Sequence, residues 1–230
     1  MRIGGFQKTS LIDYPDKISA IVWTVNCNFR CPFCYNIDLV EGNVGVVSEE
    51  EVFSFLKKRK GLLEALVITG GEPFLQEDLG VFCEKVKKLE YLVKLDTNGT
   101  FPDRLKDLID SKLVDYVAMD VKAPVDKYGD LVGGNVDVSK IRKSIEIIQQ
   151  SSVDYEFRTT MVPGLLQLED VVKIGEWLKG SKRFYLQQFK GDVPLVSSEL
   201  ENTTMYTGEE LYSVLEKVKP FFEFCDVRGV

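Results

Sequence analysis

Three cysteines crowd into eight residues, Cys27, Cys31 and Cys34, with the spacing C-x3-C-x2-C. Thiolates gathered on one loop are soft ligands suited to an iron–sulfur cluster or to zinc, and spacing alone does not choose between them. Structural zinc sites close with four ligands, commonly two from each of two short knuckles. This chain has no second C-x2-C and no histidine, so zinc would need Cys83 or Cys225 as its fourth donor. A four-iron cluster held by three cysteines leaves one iron without a protein ligand, an open position where a small molecule can bind directly. Zero histidines also exclude Ser-His-Asp triads, His-ligated zinc and haem–His schemes. Five cysteines, three clustered and two standing alone, are unlike the disulfide framework of a secreted domain.

The elements that must position these thiols follow from periodicity. The chain has 230 residues, 44% hydrophobic and 28% charged, enough to bury a sizeable core and ordinary for a soluble globular protein. Short β-rich runs alternate with helical periods, the pattern of a parallel α/β fold. Strands are expected at Ile18 to Val25, Ala65 to Thr69, Leu92 to Asp96, Asp115 to Asp120, Asp154 to Val162 and Arg183 to Phe189, with Phe221 to Val227 as an added edge strand. Between them, Ser48 and Glu51 form a capping box ahead of Val52, Phe55 and Leu56, and Gly61 stops that run. Apolar stripes at Leu79/Phe82/Cys83/Val86/Leu89, Leu105/Leu108/Ile109, Ile141/Ile145/Ile148 and Val171/Ile174/Leu178 predict further helices against the sheet. Thr207 and Glu210 open a last helix that ends at Pro220.

No linker or shift in composition divides the chain, so residues 1–230 are expected as a single domain, with 1–17 an amino-terminal extension and 18–230 the α/β body. Six βα units are too few for a closed eight-stranded barrel; a partial, open barrel fits best, a doubly wound sheet second. In either, loops after the carboxyl ends of strands form the active face. The Cys loop follows the first strand, Gly70-Gly71-Glu72-Pro73 the second, Thr97-Asn98-Gly99 the third and Val121-Lys122 the fourth, while Arg158 and Thr160 lie near the end of the fifth. A net charge of −7 argues against nucleic-acid binding, and no apolar run reaches membrane-spanning length. Without a signal-like amino terminus the chain reads as cytoplasmic.

With an aromatic before its last Cys, Cys27-Asn28-Phe29-Arg30-Cys31-Pro32-Phe33-Cys34 resembles the signature loop of the radical S-adenosylmethionine (SAM) enzymes, and Gly70-Gly71-Glu72-Pro73 resembles their GGE motif in the next βα unit. The likeness extends to activating enzymes of glycyl-radical proteins, especially the activating proteins of anaerobic ribonucleoside-triphosphate reductase. It is carried by Gln7-Lys8-Thr9-Ser10-Leu11-Ile12-Asp13-Tyr14-Pro15, Asp96-Thr97-Asn98-Gly99, Met119-Asp120-Val121-Lys122 and Phe157-Arg158-Thr159-Thr160-Met161-Val162-Pro163-Gly164. Two positions depart from the family: Tyr35-Asn36-Ile37 stands where His-Asn-Pro is common, and Asp16 where Gly is common.

The resemblance implies a partial (β/α)6 TIM-like barrel. It implies a [4Fe-4S] cluster on Cys27, Cys31 and Cys34, with SAM chelated at the open iron and cleaved by one electron to methionine and a 5′-deoxyadenosyl radical. Phe33, Gly70, Gly71, Glu72, Asp96, Asn98, Asp120, Lys122 and Arg158 become the cofactor-binding candidates. Gly70 and Gly71 would let backbone approach the methionine moiety, and Glu72 or nearby carbonyls would accept from its ammonium. Asn98 and Arg158 would bond ribose hydroxyls or the carboxylate, while Asp96 and Asp120 would hold a cation and Lys122 an ion pair at the rim. Cys83, on an apolar stripe, reads as a buried structural thiol. Expected partners are a glycyl-radical enzyme, foremost the anaerobic reductase, and an electron donor such as flavodoxin or ferredoxin. Pyruvate formate-lyase activation, a small-molecule radical reaction such as 7-carboxy-7-deazaguanine synthesis, and a noncatalytic zinc module are the rival readings.

Overall fold

Eight strands follow one another across a single sheet in chain order. In the computed structural model, which describes residues 1–230, β1 (Ile3–Tyr14) runs antiparallel to β2 (Lys17–Thr24). β3 (Ala65–Gly70), β4 (Leu92–Thr97), β5 (Tyr116–Asp120), β6 (Asp154–Met161), β7 (Ser181–Gln188) and β8 (Phe222–Arg228) each continue parallel to the strand before. Helices fill the crossovers: α1 (Ile37–Glu41) and α2 (Glu49–Lys58), α3 (Leu79–Lys88), α4 (Pro102–Asp110), α5 (Tyr128–Val132) and α6 (Val138–Gln150), α7 (Leu168–Trp177) and α8 (Gly208–Val218). β1 and β8 do not pair, so the sheet is an open barrel of one α/β domain. β2 to β7 are the six expected βα units, and β8 is the expected edge strand; all seven match the sequence reading to within two residues at each end.

Residue alternation explains the sheet's two faces. Ala20, Val22, Leu66, Ile68, Val93, Leu95, Val117, Met119, Phe157, Phe184 and Leu186 join the large core beneath the helices. Their neighbours Ile21, Ala65, Val67, Tyr116 and Ala118 form a small apolar cluster on the inner face with Tyr14. From β4 onward that inner parity turns polar: Lys94, Asp96, Asp120, Glu156, Arg158 and Arg228. Helix caps are as the side chains dictate. Ser48 accepts from the Glu51 N–H at 3.1 Å without a reciprocal bond, half the expected capping box, whereas Thr207 and Glu210 complete theirs.

Residues 1–17 are more than an extension. They supply β1 and the tight turn into β2, where Tyr14 pairs with Lys17 across Pro15 and Asp16. Asp16 has φ 59°, a left-handed conformation that glycine adopts freely and Asp tolerates. The hairpin also closes the amino-terminal end of the inner face. The Tyr14 ring packs on Tyr116 at 5.6 Å between centroids, and Lys94 Nζ donates to the Asp13 carbonyl at 2.6 Å.

Candidate cluster and cofactor site

The Cys loop leaves the carboxyl end of β2 and is fastened on three sides. Cys34 N–H donates to Cys31 O at 3.0 Å, and Arg30 Nη1 donates to Cys27 O at 2.6 Å and Phe29 O at 2.8 Å. Arg30 N–H reaches Val132 O at 2.9 Å, Ser197 N–H reaches Pro32 O at 2.9 Å and Val196 N–H reaches Cys34 O at 3.0 Å. The loop is thus bound to the end of α5 and to the segment after β7. All five cysteines are free thiols; Cys31 is buried, Cys27 and Cys34 half-buried. Burial pushes the Cys31 thiol up to about 12, with the Cys27 and Cys34 sulfurs adding to it and Lys122 opposing. Ionising Cys31 in such surroundings demands local positive charge, which an iron–sulfur cluster supplies.

Zinc fits less well. Cys83 is buried in α3 with Asp115 and Lys87, at the amino-terminal end of the sheet, and Cys225 lies on the edge strand β8 near Lys219 and Glu216. Neither belongs to the rim that carries the Cys loop. A closed tetrahedral zinc site would need a fourth protein donor on this rim, whereas a four-iron cluster is held by three thiolates on separate irons.

The glycines of the GGE turn have a different immediate task from the one expected. Gly70 has φ +116°, and a Cβ there would lie 2.4 Å from Thr24 N; a Cβ on Gly71 would lie 1.9 Å from the Asn26 carbonyl oxygen. The space they leave is filled by the end of β2, with Gly71 N–H donating to Thr24 O at 2.9 Å and Glu72 N–H to Asn26 O at 2.8 Å. Gly71→Ala is therefore expected to cost about 3 kcal/mol of stability, read as a lowered urea midpoint. An unchanged midpoint would show that the turn moves aside freely.

Glu72 is fully buried, and its carboxylate is engaged within the chain. Oε1 accepts from Thr97 Oγ1 at 2.9 Å and Phe74 N–H at 3.2 Å, and Oε2 accepts from Asn98 N–H at 2.8 Å. It joins the turn after β3 to the turn after β4, so an ammonium ligand would have to share these oxygens. Burial drives its carboxyl up to about 7 against those hydrogen bonds. Asn98 is likewise committed: Nδ2 donates to Asn28 Oδ1 at 2.8 Å, and Oδ1 accepts from Thr100 Oγ1 at 2.7 Å. Asn28, a residue not anticipated as functional, thereby clips the Cys loop to the β4 rim.

Arg158 organises the inner face. Its Nε donates to Asp120 Oδ1 at 2.8 Å and its Nη1 to Asp96 Oδ2 at 3.1 Å. The cation that Asp96 and Asp120 hold is thus the protein's own guanidinium, with Lys94 Nζ 3.1 Å from Asp96 and Lys122 Nζ 2.9 Å from Asp120. Arg158 Nη2 makes no hydrogen bond in the chain. Lys122 also lies over the buried Phe33 ring, 5.8 Å from its centroid. Below this belt Glu156, fully buried, accepts from Arg228 at 2.7 and 2.9 Å and from Tyr116 Oη at 2.9 Å. Glu156 and Arg228 were legible in principle, as charges at alternate positions of their strands.

Burial pushes Asp120 upward, but Arg158 and then Lys122 outweigh it and hold the carboxyl well below the usual carboxylate range. Glu156 is also lowered, Arg228 and Arg158 overcoming its burial. A depressed folded pKa contributes stability present above the ordinary value and lost as pH falls through the folded one. The raised carboxyl of Glu72 has the opposite sign, costing stability from its ordinary value of 4.5 up to about 7. Cluster-free protein is therefore expected to gain stability as pH rises to about 4.5, then slope gently downward to 7, in urea titrations at stepped pH. A steady rise through neutrality would contradict the placement of Glu72.

Comparison with known proteins decides the family. The model of the radical SAM superfamily matches residues 21–178. The chain belongs to that superfamily. A relative from Methanocaldococcus jannaschii, provisionally described as a glycyl-radical enzyme activating enzyme, is 37% identical over 99% of this chain and 96% of its own length. A second protein of that organism with the same description is 27% identical over 76% of this chain and 68% of its own. The crystal structure of Streptococcus suis SuiB bound to S-adenosylmethionine superposes with a TM-score of 0.70 at 15% identity, over 91% of this chain and 49% of SuiB. This radical SAM chain therefore spans about half the length of SuiB, and the likeness shows the shared fold. Membership makes the protein an enzyme of the radical SAM class, with a [4Fe-4S] cluster and S-adenosylmethionine as its cofactors. No helix is long and apolar enough to cross a membrane.

Proposed function

We propose that Cys27, Cys31 and Cys34 hold the [4Fe-4S] cluster and that the enzyme installs a glycyl radical on a partner protein, the anaerobic ribonucleoside-triphosphate reductase. The observation that carries the chemistry is the set of three free thiols on one rim loop, with no fourth thiol on that rim. The partner class is supported by the full-length relative described as a glycyl-radical enzyme activating enzyme. When bound, the cofactors supply one-electron cleavage of the sulfonium and the group that abstracts hydrogen from a glycine Cα.

The chain's residues position and seclude that chemistry. Arg158 Nη2, the one nitrogen not given to Asp96 or Asp120, would donate to a carboxylate, and Lys122 would present positive charge beside Cys31. Glu72, Asn98 and Asn28 lock three rim turns together, so the cofactor meets a preformed surface. Carbonyls of the Gly70–Gly71 turn would accept from an ammonium group. The open side between β1 and β8 would admit the partner. Because Tyr14 and Lys94 close the other end, the partner must present a loop that enters and returns by the same side.

The test is anaerobic mixing of reduced, cluster-loaded enzyme with S-adenosylmethionine and the reductase, followed by low-temperature electron paramagnetic resonance. A glycine-centred doublet in the reductase is the expected result. Cofactor cleavage without that doublet would reject the reductase, and repeating the assay with pyruvate formate-lyase would then identify the alternative partner.

A further inference from the structure

One interaction on the inner face spans a whole strand. Arg228, at the end of the edge strand β8, reaches over β7 to Glu156 on β6 and donates to both carboxylate oxygens, at 2.7 and 2.9 Å. Tyr185 of β7 is the surface it lies on, with the guanidinium carbon 3.3 Å from the ring centroid. A planar guanidinium stacked on a ring and forked onto a carboxylate is held in one orientation. Tyr116 Oη donates to the same carboxylate at 2.9 Å, and the Glu156 side chain is fully buried.

The second guanidinium near Glu156 is that of Arg158. Its Nη1 lies 3.9 Å from Glu156 Oε1 and 3.1 Å from Asp96 Oδ2, so a small swing exchanges one carboxylate for the other. A fully buried carboxylate without a paired cation is costly, and the charge of Glu156 acts on Arg158 alongside those of Asp120 and Asp96. Lys94, whose charge also reaches Glu156, is tied to the Asp13 carbonyl at 2.6 Å and to Asp96 at 3.1 Å. Without Arg228, Arg158 is therefore the group drawn toward Glu156. That movement loosens its bonds to Asp96 and Asp120 and carries Nη2 along, because the three nitrogens share one rigid plane.

We propose that Arg228 is a positioning residue for the cofactor site: by satisfying Glu156 from the edge of the sheet, it keeps the Arg158 guanidinium on Asp96 and Asp120, with Nη2 in place for the carboxylate of S-adenosylmethionine. The inference rests on the reading that Arg158 meets that carboxylate, and it is independent of which glycyl-radical enzyme is the partner. Arg228 acts on the cofactor only through Glu156 and Arg158. Its effect must therefore vanish when the Glu156 side chain is made neutral.

The test is a double-mutant cycle of Arg228→Met and Glu156→Gln. It is read by calorimetric titration of S-adenosylmethionine into cluster-loaded protein and by urea unfolding of the cluster-free proteins. Arg228→Met is expected to weaken cofactor affinity about tenfold, whereas Glu156→Gln and the double variant bind within about twofold of wild type. Glutamine keeps an oxygen for Tyr116 Oη and carries no charge to attract Arg158. Arg228→Lys, the variant to use if Arg228→Met does not fold, keeps the charge without the fork and is expected to lose about threefold, a loss that Glu156→Gln must also erase. Unchanged affinity in Arg228→Met with a lowered urea midpoint overturns the proposal, leaving Arg228 a structural tie. An equal loss of affinity in Arg228→Met and the double variant overturns it as well, since the effect then does not pass through Glu156. Arg158→Leu tests the underlying reading separately: wild-type affinity there rejects both, whereas a loss there with none in Arg228→Met rejects the positioning role alone.

Discussion

Cys31→Ala protein, reconstituted with iron and sulfide under anaerobic conditions, is expected to lose nearly all cluster iron and to cleave S-adenosylmethionine at least about a thousandfold more slowly, equivalent to about 4 kcal/mol in the barrier. The reasoning is geometric. Cys31 is the most buried of the three rim thiols and is enclosed by Lys122, Cys27 and Cys34, so no solvent-borne ligand replaces it easily. The controls are Cys83→Ala and Cys225→Ala. Cys83 is fully buried on α3, so its loss creates a small cavity and costs about 1 kcal/mol of stability, yet it should leave iron content unchanged. Iron retained in Cys31→Ala, or lost in either control, would overturn the three-thiol assignment and restore a zinc-like set with a remote ligand.

Arg158→Leu is expected to lower stability at neutral pH by about 3 to 5 kcal/mol, because it strips the shared guanidinium from two inner-face carboxylates. Asp96 and Asp120 come from β4 and β5, and only Arg158 touches both. Lys94 and Lys122 remain, one per carboxylate, so the fold should survive in weakened form. The loss should shrink on acidification, since Asp120 deprived of Arg158 protonates more readily in the folded state and the repulsion it causes is relieved. Arg158→Lys tests geometry apart from charge: one ammonium cannot bridge both carboxylates as the planar fork does, so it should recover part of the stability but little affinity for S-adenosylmethionine. Equilibrium urea unfolding with calorimetric titration of the cofactor separates these effects. A loss below about 1 kcal/mol in Arg158→Leu would mean that the belt is solvated rather than a buried network.

The Cys loop was readable because its information is local: three ligands within eight residues, on a loop whose strand is marked by Ile18, Ile21 and Val22. Strand and helix positions were readable for the same reason, since a period of two or 3.6 is a property of a short window. The roles of Gly71 and Glu72 were not. The sequence presents a flexible turn and a free carboxylate, but whether that space and those lone pairs face a ligand or another turn depends on how closely β2 and β3 approach at their carboxyl ends. Asn28 was overlooked for a related reason. Its partners, Asn98 and Thr100, lie 70 and 72 residues away, and an amide inside a metal-binding loop carries no pattern of its own.

What the sequence by itself determined is the chemistry available and the rim on which it stands: soft thiolates without histidine, glycines after β3, and a run of βα units that places every motif at a strand's carboxyl end. Only the tertiary structure decided which charges neutralise one another. Arg158 meets Asp96 and Asp120 across 62 and 38 residues of chain, and Arg228 meets Glu156 across 72, because parallel strands joined by helices become neighbours through register, and register is set by the whole sheet. The same physics turned residues 1–17 into a strand and a floor. A hairpin's turn can be read from Pro15 and Asp16, but its burial against Tyr116 and Lys94 exists only once the sheet has curved far enough to bring β1, β4 and β5 around a common interior.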